Sequence, residues 1–299
     1  MTTNNGLLLI DKPRGGTSHD VVARVRKVLN EQRVGHAGTL DPMATGLLVL
    51  AVGPSTRLLR FAQSETKRYS GVVTFGVATD SLDADGEILE RRDVPDLATK
   101  NVNDAARGML GTQQQTPPMV SALKINGRRL HALAREGVEV DRPSREITID
   151  SFSLEPSESP GEWSFDVTCS VGTYVRVLLA DLAAQLSTIG HLSALRRLAS
   201  GSHLVEHAVT LEEFERRAQS GDAPLLPPRA FVEQLVTTTV NDDEAQRLRH
   251  GQRVNLAATG DGEIAAVSDS GSLVAVLRRR GESWQPTVVM PDDESKVAG

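Results

Sequence analysis

One twelve-residue stretch concentrates the chemistry available to this chain. Gly35-His36-Ala37-Gly38-Thr39-Leu40-Asp41-Pro42-Met43-Ala44-Thr45-Gly46 sets one imidazole and one carboxylate among three glycines and a proline. That mixture imposes an irregular backbone, and such a loop presents side chains. A presented carboxylate can attack carbon or take a proton. An isolated Leu-Asp-Pro reads equally well as a turn whose Asp41 caps a neighbouring segment. The familiar alternatives are missing from the sequence: there is no Walker loop, no G-x-G-x-x-G and no G-x-S-x-G. Asp83-Ala84-Asp85-Gly86 invites a calcium-loop reading, but aligning Gly86 to the loop's glycine puts Ser81 first and Arg92 last, where carboxylates are required. The seven histidines are scattered (19, 36, 131, 191, 203, 207, 250), and no third ligand accompanies His203 and His207, so no metal site is expected.

The elements that must position this loop are legible on both sides of it. Leu7-Leu8-Leu9-Ile10 reads as a buried strand closed by Pro13, Gly15 and Gly16. Thr17 and Ser18 can cap a helix carrying Val21, Val22, Val25, Val28 and Leu29 at helical spacing. Leu47 to Val52 follows the loop as a second apolar strand. Tyr69, Gly71, Val73, Phe75 and Val77 alternate along one face of a third strand, and Trp163, Phe165, Val167, Cys169 and Val171 along a fourth. Gly172-Thr173 then turns into a helix from Tyr174 to Leu186. A further helix falls around Leu211 to Gln219. Strands and helices mix without a βαβα rhythm, which predicts an α+β fold with a mixed or antiparallel sheet flanked by helices. Beyond the prolines 224, 227 and 228, short β-like runs at Glu263 to Val267, Ser272 to Leu277 and Thr287 to Met290 predict a small separate β module.

Composition bounds what the chain can be. Its 299 residues carry a formal charge of -6 and 39% hydrophobic residues, enough for a sizeable core and far from a disordered tail. The single cysteine, Cys169, excludes an internal disulfide and suits a reducing cytosol; it reads as an inert packed thiol. No apolar run approaches the roughly 18 residues of a membrane span, and the first residues lack the pattern of a secretory signal, so a cytoplasmic location is expected. The global charge hides segregation. Asp11 to Gly35 and Val120 to Arg145 each carry a local +3, whereas Asp80 to Asp96 carries a local -5. Arginine also outnumbers lysine 27 to 6, and its fork suits phosphates and base edges. Taken alone, that excess fits codon bias and solvated faces as well.

Six further blocks in register with the Gly35 to Gly46 loop bear on these ambiguities. Gly35 to Gly46 resembles the catalytic motif of the TruB family of tRNA pseudouridine synthases, which modify the uridine of the T loop (position 55 of tRNA). Matches also occur at Gly6 to Pro13, Lys67-Arg-Tyr69, Thr79 to Gly86, Pro118 to Lys124, Cys169 to Arg176 and His191 to Leu198, in order from about residue 6 to residue 215. The resemblance implies a pseudouridine synthase catalytic domain over 1–235 with an RNA-gripping insertion at about 116–146. A short, divergent PUA-like module would follow over 236–292, then a frayed tail over 293–299.

By that resemblance, Asp41 acts on the ribose, and Arg176 is the fixed cation that keeps it ionised in a dry pocket. Tyr69 stacks on the flipped base and takes the C5 proton. Tyr174 and Leu195 line the uracil pocket, and His36 enters the T loop where the target nucleotide leaves its stack. Lys124, Arg128 and Arg129 contact the RNA backbone, Lys12 and Pro13 are structural, and Asp83 has no role beyond its loop. The implied partner is the T arm of tRNA, with no cofactor, no metal and a monomer as the default state. From the residues alone, each of Asp41, Tyr69, Leu195 and Arg176 also has a packing or surface reading. Two other functions remain open on sequence: an RNA-folding factor acting on the T arm, and an RNA glycosylase.

Overall fold

A computed structural model describes residues 4–63, 66–120, 138, 140–258, 260 and 262–292, with the backbone of 124–125 and 128–129. Its centre is a ten-stranded mixed sheet built from β1 (Gly6–Lys12), β2 (Val34–His36), β3 (Thr45–Val52), β4 (Lys67–Phe75), β5 (Gly111–Gln115), β6 (Arg145–Pro156), β7 (Glu162–Cys169), β8 (Gly190–Ser200), β9 (His203–Leu204) and β10 (Val209–Thr210). The spatial order is β10-β1-β3-β8-β4-β7-β6-β5, with β2 on β3 and β9 on β8. Most neighbours are antiparallel. The join at the middle, β3 against β8, is parallel and pairs Thr45 with Arg196 and Gly46 with Arg197. The end of the Asp41 loop is thereby stitched directly to β8.

The alternation in β4 and β7 follows the expected faces, with Tyr69, Val73, Phe75, Trp163, Phe165, Val167 and Cys169 all buried. Two expectations fail at the strand ends. Gly76, at φ +85°, turns the chain before Val77, which starts a separate two-stranded ribbon of Val77–Thr79 with Ile88–Arg91. β7 stops at Cys169, and Val171 is 50% exposed. Helix α1 (Ser18–Leu29) begins in a capping box of Thr17 with Asp20 and buries Val21, Val22 and Val25. Helix α2 (Val175–Gln185) is apolar along most of its length and buries Leu178, Leu179, Leu182 and Ala183.

The C-terminal module is a four-stranded sheet of Val236–Thr239, Glu263–Val267, Leu273–Arg280 and Ser283–Val289. It packs against the larger sheet: Ala265, Val267, Val276, Val288 and Met290 share one apolar cluster with Leu7, Leu9, Leu47, Val49 and Phe61. β1 and β3 bury both faces, and the module covers the second. Among the described residues, no helix is long and apolar enough to cross a membrane.

Candidate active site

The loop between β2 and β3 is fixed from three sides. From β1, the wholly buried Lys12 donates to the carbonyls of Pro13 (2.9 Å), Pro42 (3.3 Å) and Ala44 (2.8 Å). From α1, Ser18 Oγ accepts from the Leu40 amide at 2.8 Å. From β8, Arg197 donates to the carbonyls of Leu47 at 2.6 Å and Gly38 at 3.1 Å. Gly46, at φ +97°, could carry no side chain, because a Cβ there would collide with the Arg197 backbone. Lys12 is structural, as the sequence suggested, and these carbonyl bonds are its content. Burial holds its ammonium below the ordinary lysine value, while the nearby Asp41 pulls it back up.

Asp41 meets Arg176 at the second position of α2. Arg176 Nε lies 3.0 Å from Asp41 Oδ2, too poorly aligned for a good hydrogen bond, and Nη2 donates to Oδ1 at 3.4 Å. The other donors of this guanidinium, which is only 3% exposed, go to Asp83 Oδ2 (3.2 Å) and to the carbonyls of Ser81 (2.8 Å) and Val120 (3.0 Å). Asp83 is thus more than a loop residue. Held by Ser81 Oγ at 2.6 Å, it fixes the far side of the guanidinium. Desolvation pushes the Asp41 carboxyl above its ordinary value, Arg176 and Lys12 pull it down, and Asp83 and Asp85 push it up again. Burial wins, so Asp41 is a carboxylate more basic than usual beside a cation that cannot deprotonate.

Asp41 and Arg176 lie in the wall of a cavity of about 350 Å³, with Gly38, Thr39, Leu40, Lys67, Tyr69, Tyr174, Leu195 and Arg197 around them. For scale, a cavity of about 150 Å³ accommodates benzene, so a pyrimidine fits here with room to turn. Burial raises the Tyr69 phenol, while Arg197, its cross-strand partner in the β4–β8 register, lowers it. Leu195 sits on β8 opposite Gly71, and it lines this cavity and a neighbouring hollow of about 170 Å³ that also holds Arg14 and Arg196.

The chain matches the model of the TruB family pseudouridylate synthase N-terminal domain over residues 26–175 and the tRNA pseudouridine synthase II C-terminal model over 237–291. It is 43% identical to a tRNA pseudouridine synthase B of Leifsonia xyli, covering 97% of this chain and 98% of that one. The Streptococcus sanguinis tRNA pseudouridine synthase B is 38% identical over 95% of this chain and 99% of its own. The chain belongs to the TruB family. Among solved structures, a Cbf5-Nop10-Gar1 complex shares the fold with a TM-score of 0.74 at 24% identity, covering 96% of this chain and 86% of that one.

Of the residues expected from the TruB resemblance, five converge: Asp41, Arg176, Tyr69, Tyr174 and Leu195 all line the one cavity. His36 does not. It ends β2 opposite Leu50, and burial together with Arg197 keeps its imidazole below the ordinary value. Lys124 pairs with Arg129 and Ile125 with Arg128 across a two-stranded ribbon, but the side chains of Lys124, Arg128 and Arg129 lie outside the described residues. Sequence reading gave no role to Lys67, Arg197, Gln115 or Arg145. The first two sit inside matched blocks, yet a basic residue on a strand reads as solvated until its burial is known.

Proposed function

We propose that this TruB-family chain isomerises uridine to pseudouridine in the T loop of tRNA without a cofactor, acting as a cytoplasmic monomer on a flipped nucleotide. Membership of the family supports pseudouridine synthase activity on tRNA as the coarse activity. The observation that carries the finer reading is a single carboxylate, Asp41, paired with a buried arginine at a pyrimidine-sized cavity.

The reaction needs no water. The N1–C1′ bond breaks, the uracil turns, a C5–C1′ bond forms, and the C5 hydrogen is replaced by one at N1. A hydrolytic glycosidase pairs two carboxylates, one often activating water. Here Asp83, among the described residues the only other carboxylate bonded to Arg176, is itself 5% exposed and held by Ser81, so it is poorly placed to activate water. Asp41 either attacks C1′ or removes a sugar proton, and Arg176 stabilises its ionised form in both routes. Tyr69 lines the cavity where a base could stack; its phenol, raised by burial, stays protonated, so it takes the C5 proton of the adduct only by giving up its own, a transfer that leaves the phenol neutral.

Flipping costs a few kcal/mol of stacking. Phosphate contacts from the insertion, with Lys124, Arg128 and Arg129 as candidates, would offset it. The test is a T-arm stem-loop tritiated at uridine C5. Tritium release without free uracil supports the proposal and free uracil supports a glycosylase. Binding with neither indicates an RNA-folding factor. Asp41→Asn is expected to abolish release while RNA affinity stays within severalfold.

A further inference from the structure

The helix that carries Arg176 lacks a cap of its own. Tyr174 is the N-cap of α2 and its side chain bonds none of the first amides, although a helix start leaves several amides orphaned. Gln115, at the end of β5 and 4% exposed, bonds the Tyr174 backbone from outside the helix. Its Oε1 accepts from the Tyr174 amide at 2.8 Å and its Nε2 donates to the Tyr174 carbonyl at 3.1 Å. Directly opposite Gln115 across the β5–β6 ladder stands Arg145. Its guanidinium lies 4.5 Å over the Tyr174 ring and donates to the Gly172 carbonyl. One residue therefore grips the backbone of Tyr174 and its register partner grips the ring.

These two residues are also the root of the insertion. Beyond them the stem closes through Thr116 Oγ1 to Ser144 Oγ (2.9 Å) and Arg142 to the Pro117 carbonyl (3.0 Å), and Val120 accepts from Arg176 at 3.0 Å. We propose that Gln115 is a positioning residue for the isomerisation: with Arg145 it brackets Tyr174, sets the start of α2, and so aims Arg176 at Asp41 from the base of the segment that grips RNA. This rests on the reading of the site given above. Its consequence is that RNA held by the insertion and the catalytic ion pair share one mechanical support.

The experiment compares wild type with Gln115→Met, which keeps the length and removes both hydrogen bonds, in the full-length protein on the tritiated T-arm substrate. The expected result is a kcat about tenfold lower with KM and RNA affinity within about threefold, the signature of misplaced catalytic groups. The acid limb of the rate profile should also move to higher pH. Asp41 is faced by Arg176, Lys12, Asp83 and Asp85, and of these only Arg176 is displaced, which removes a pull toward the ionised form. Should Gln115→Met fail to fold, Gln115→Asn, an amide one methylene too short, carries the same expectation. An unchanged kcat, or a loss of kcat with the acid limb in place, overturns the proposal. Failure of the functional reading is separately visible as a wild type that releases no tritium. In that event the bracket is read by ¹⁹F spectra of the 3-fluorotyrosine protein. Only two tyrosines exist, and Gln115→Met must move the Tyr174 signal and leave that of Tyr69; a static Tyr174 signal overturns it.

Discussion

The catalytic face and the C-terminal module use the same residue type under opposite conditions. On the catalytic face Arg176 and Arg197 are 3% and 1% exposed, and their bonds run to carboxylates and carbonyls. In the module, Arg278, Arg279 and Arg280 close a strand whose first five residues are buried, and all three are exposed. Arg278 reaches Glu263 at 3.5 Å and Arg279 the Gly281 carbonyl at 3.2 Å. Desolvation makes each fixed partner of a buried guanidinium matter and gives it one orientation. Water and salt leave an exposed one mobile and nearly independent of its neighbours. The first arrangement suits bond chemistry; the second suits a diffuse attraction to polyanions.

Arg176→Met should break the contrast most severely. It strands Asp41 and the buried Asp83 without their cation, so tritium release should fall by about 10³-fold or more. Unfolding in urea should show a loss of about 3 kcal/mol. Arg197→Met comes next. It frees the Gly38 and Leu47 carbonyls and removes the cation opposite Tyr69, and a loss of about 2 kcal/mol is expected for such orphaned buried groups. The Tyr69 phenol should rise further, followed by ultraviolet titration in a Tyr174→Phe background.

Asp41→Asn sharpens the comparison through its pH dependence. The folded protein holds Asp41 above its ordinary carboxylate value, so it binds this proton more tightly than the unfolded chain does. Ionisation of Asp41 therefore costs stability as pH rises through the window between those two values. The Asp41→Asn protein should melt higher than wild type at pH 7, and the advantage should vanish as pH falls through that window. Calorimetry across pH 3 to 8 checks it. The smallest effect belongs to the module: Arg279→Gln and Arg280→Gln should each change folding stability by less than about 0.5 kcal/mol. Where the residue meets a phosphate, the slope of log affinity against log salt should fall by about one.

The loop and turns around the site were legible locally, while the roles of their residues came only from the family resemblance. Asp41 lies in a loop whose glycines and proline announce it, and Arg176 follows the Gly172-Thr173 turn. His36 carried the same local signal; it pairs with Leu50 across β2 and β3 and is not among the residues that line the cavity. Asp83 was readable as a turn residue, but its grip on Arg176 spans 93 positions of chain and depends on the ribbon after Gly76 folding back beside β8.

The sequence by itself determined the alternating faces of β4 and β7, the cap of α1, the irregular Asp41 loop and the identity of the charged groups available. Those follow from sterics and periodicity within a few residues. Only the tertiary structure decided which charges lost their water. Without the family resemblance, Lys67, Arg176 and Arg197 read in sequence as ordinary basic residues. They became fixed instruments because the sheet order buries them beside carbonyls and carboxylates from distant strands, where desolvation makes each remaining partner count.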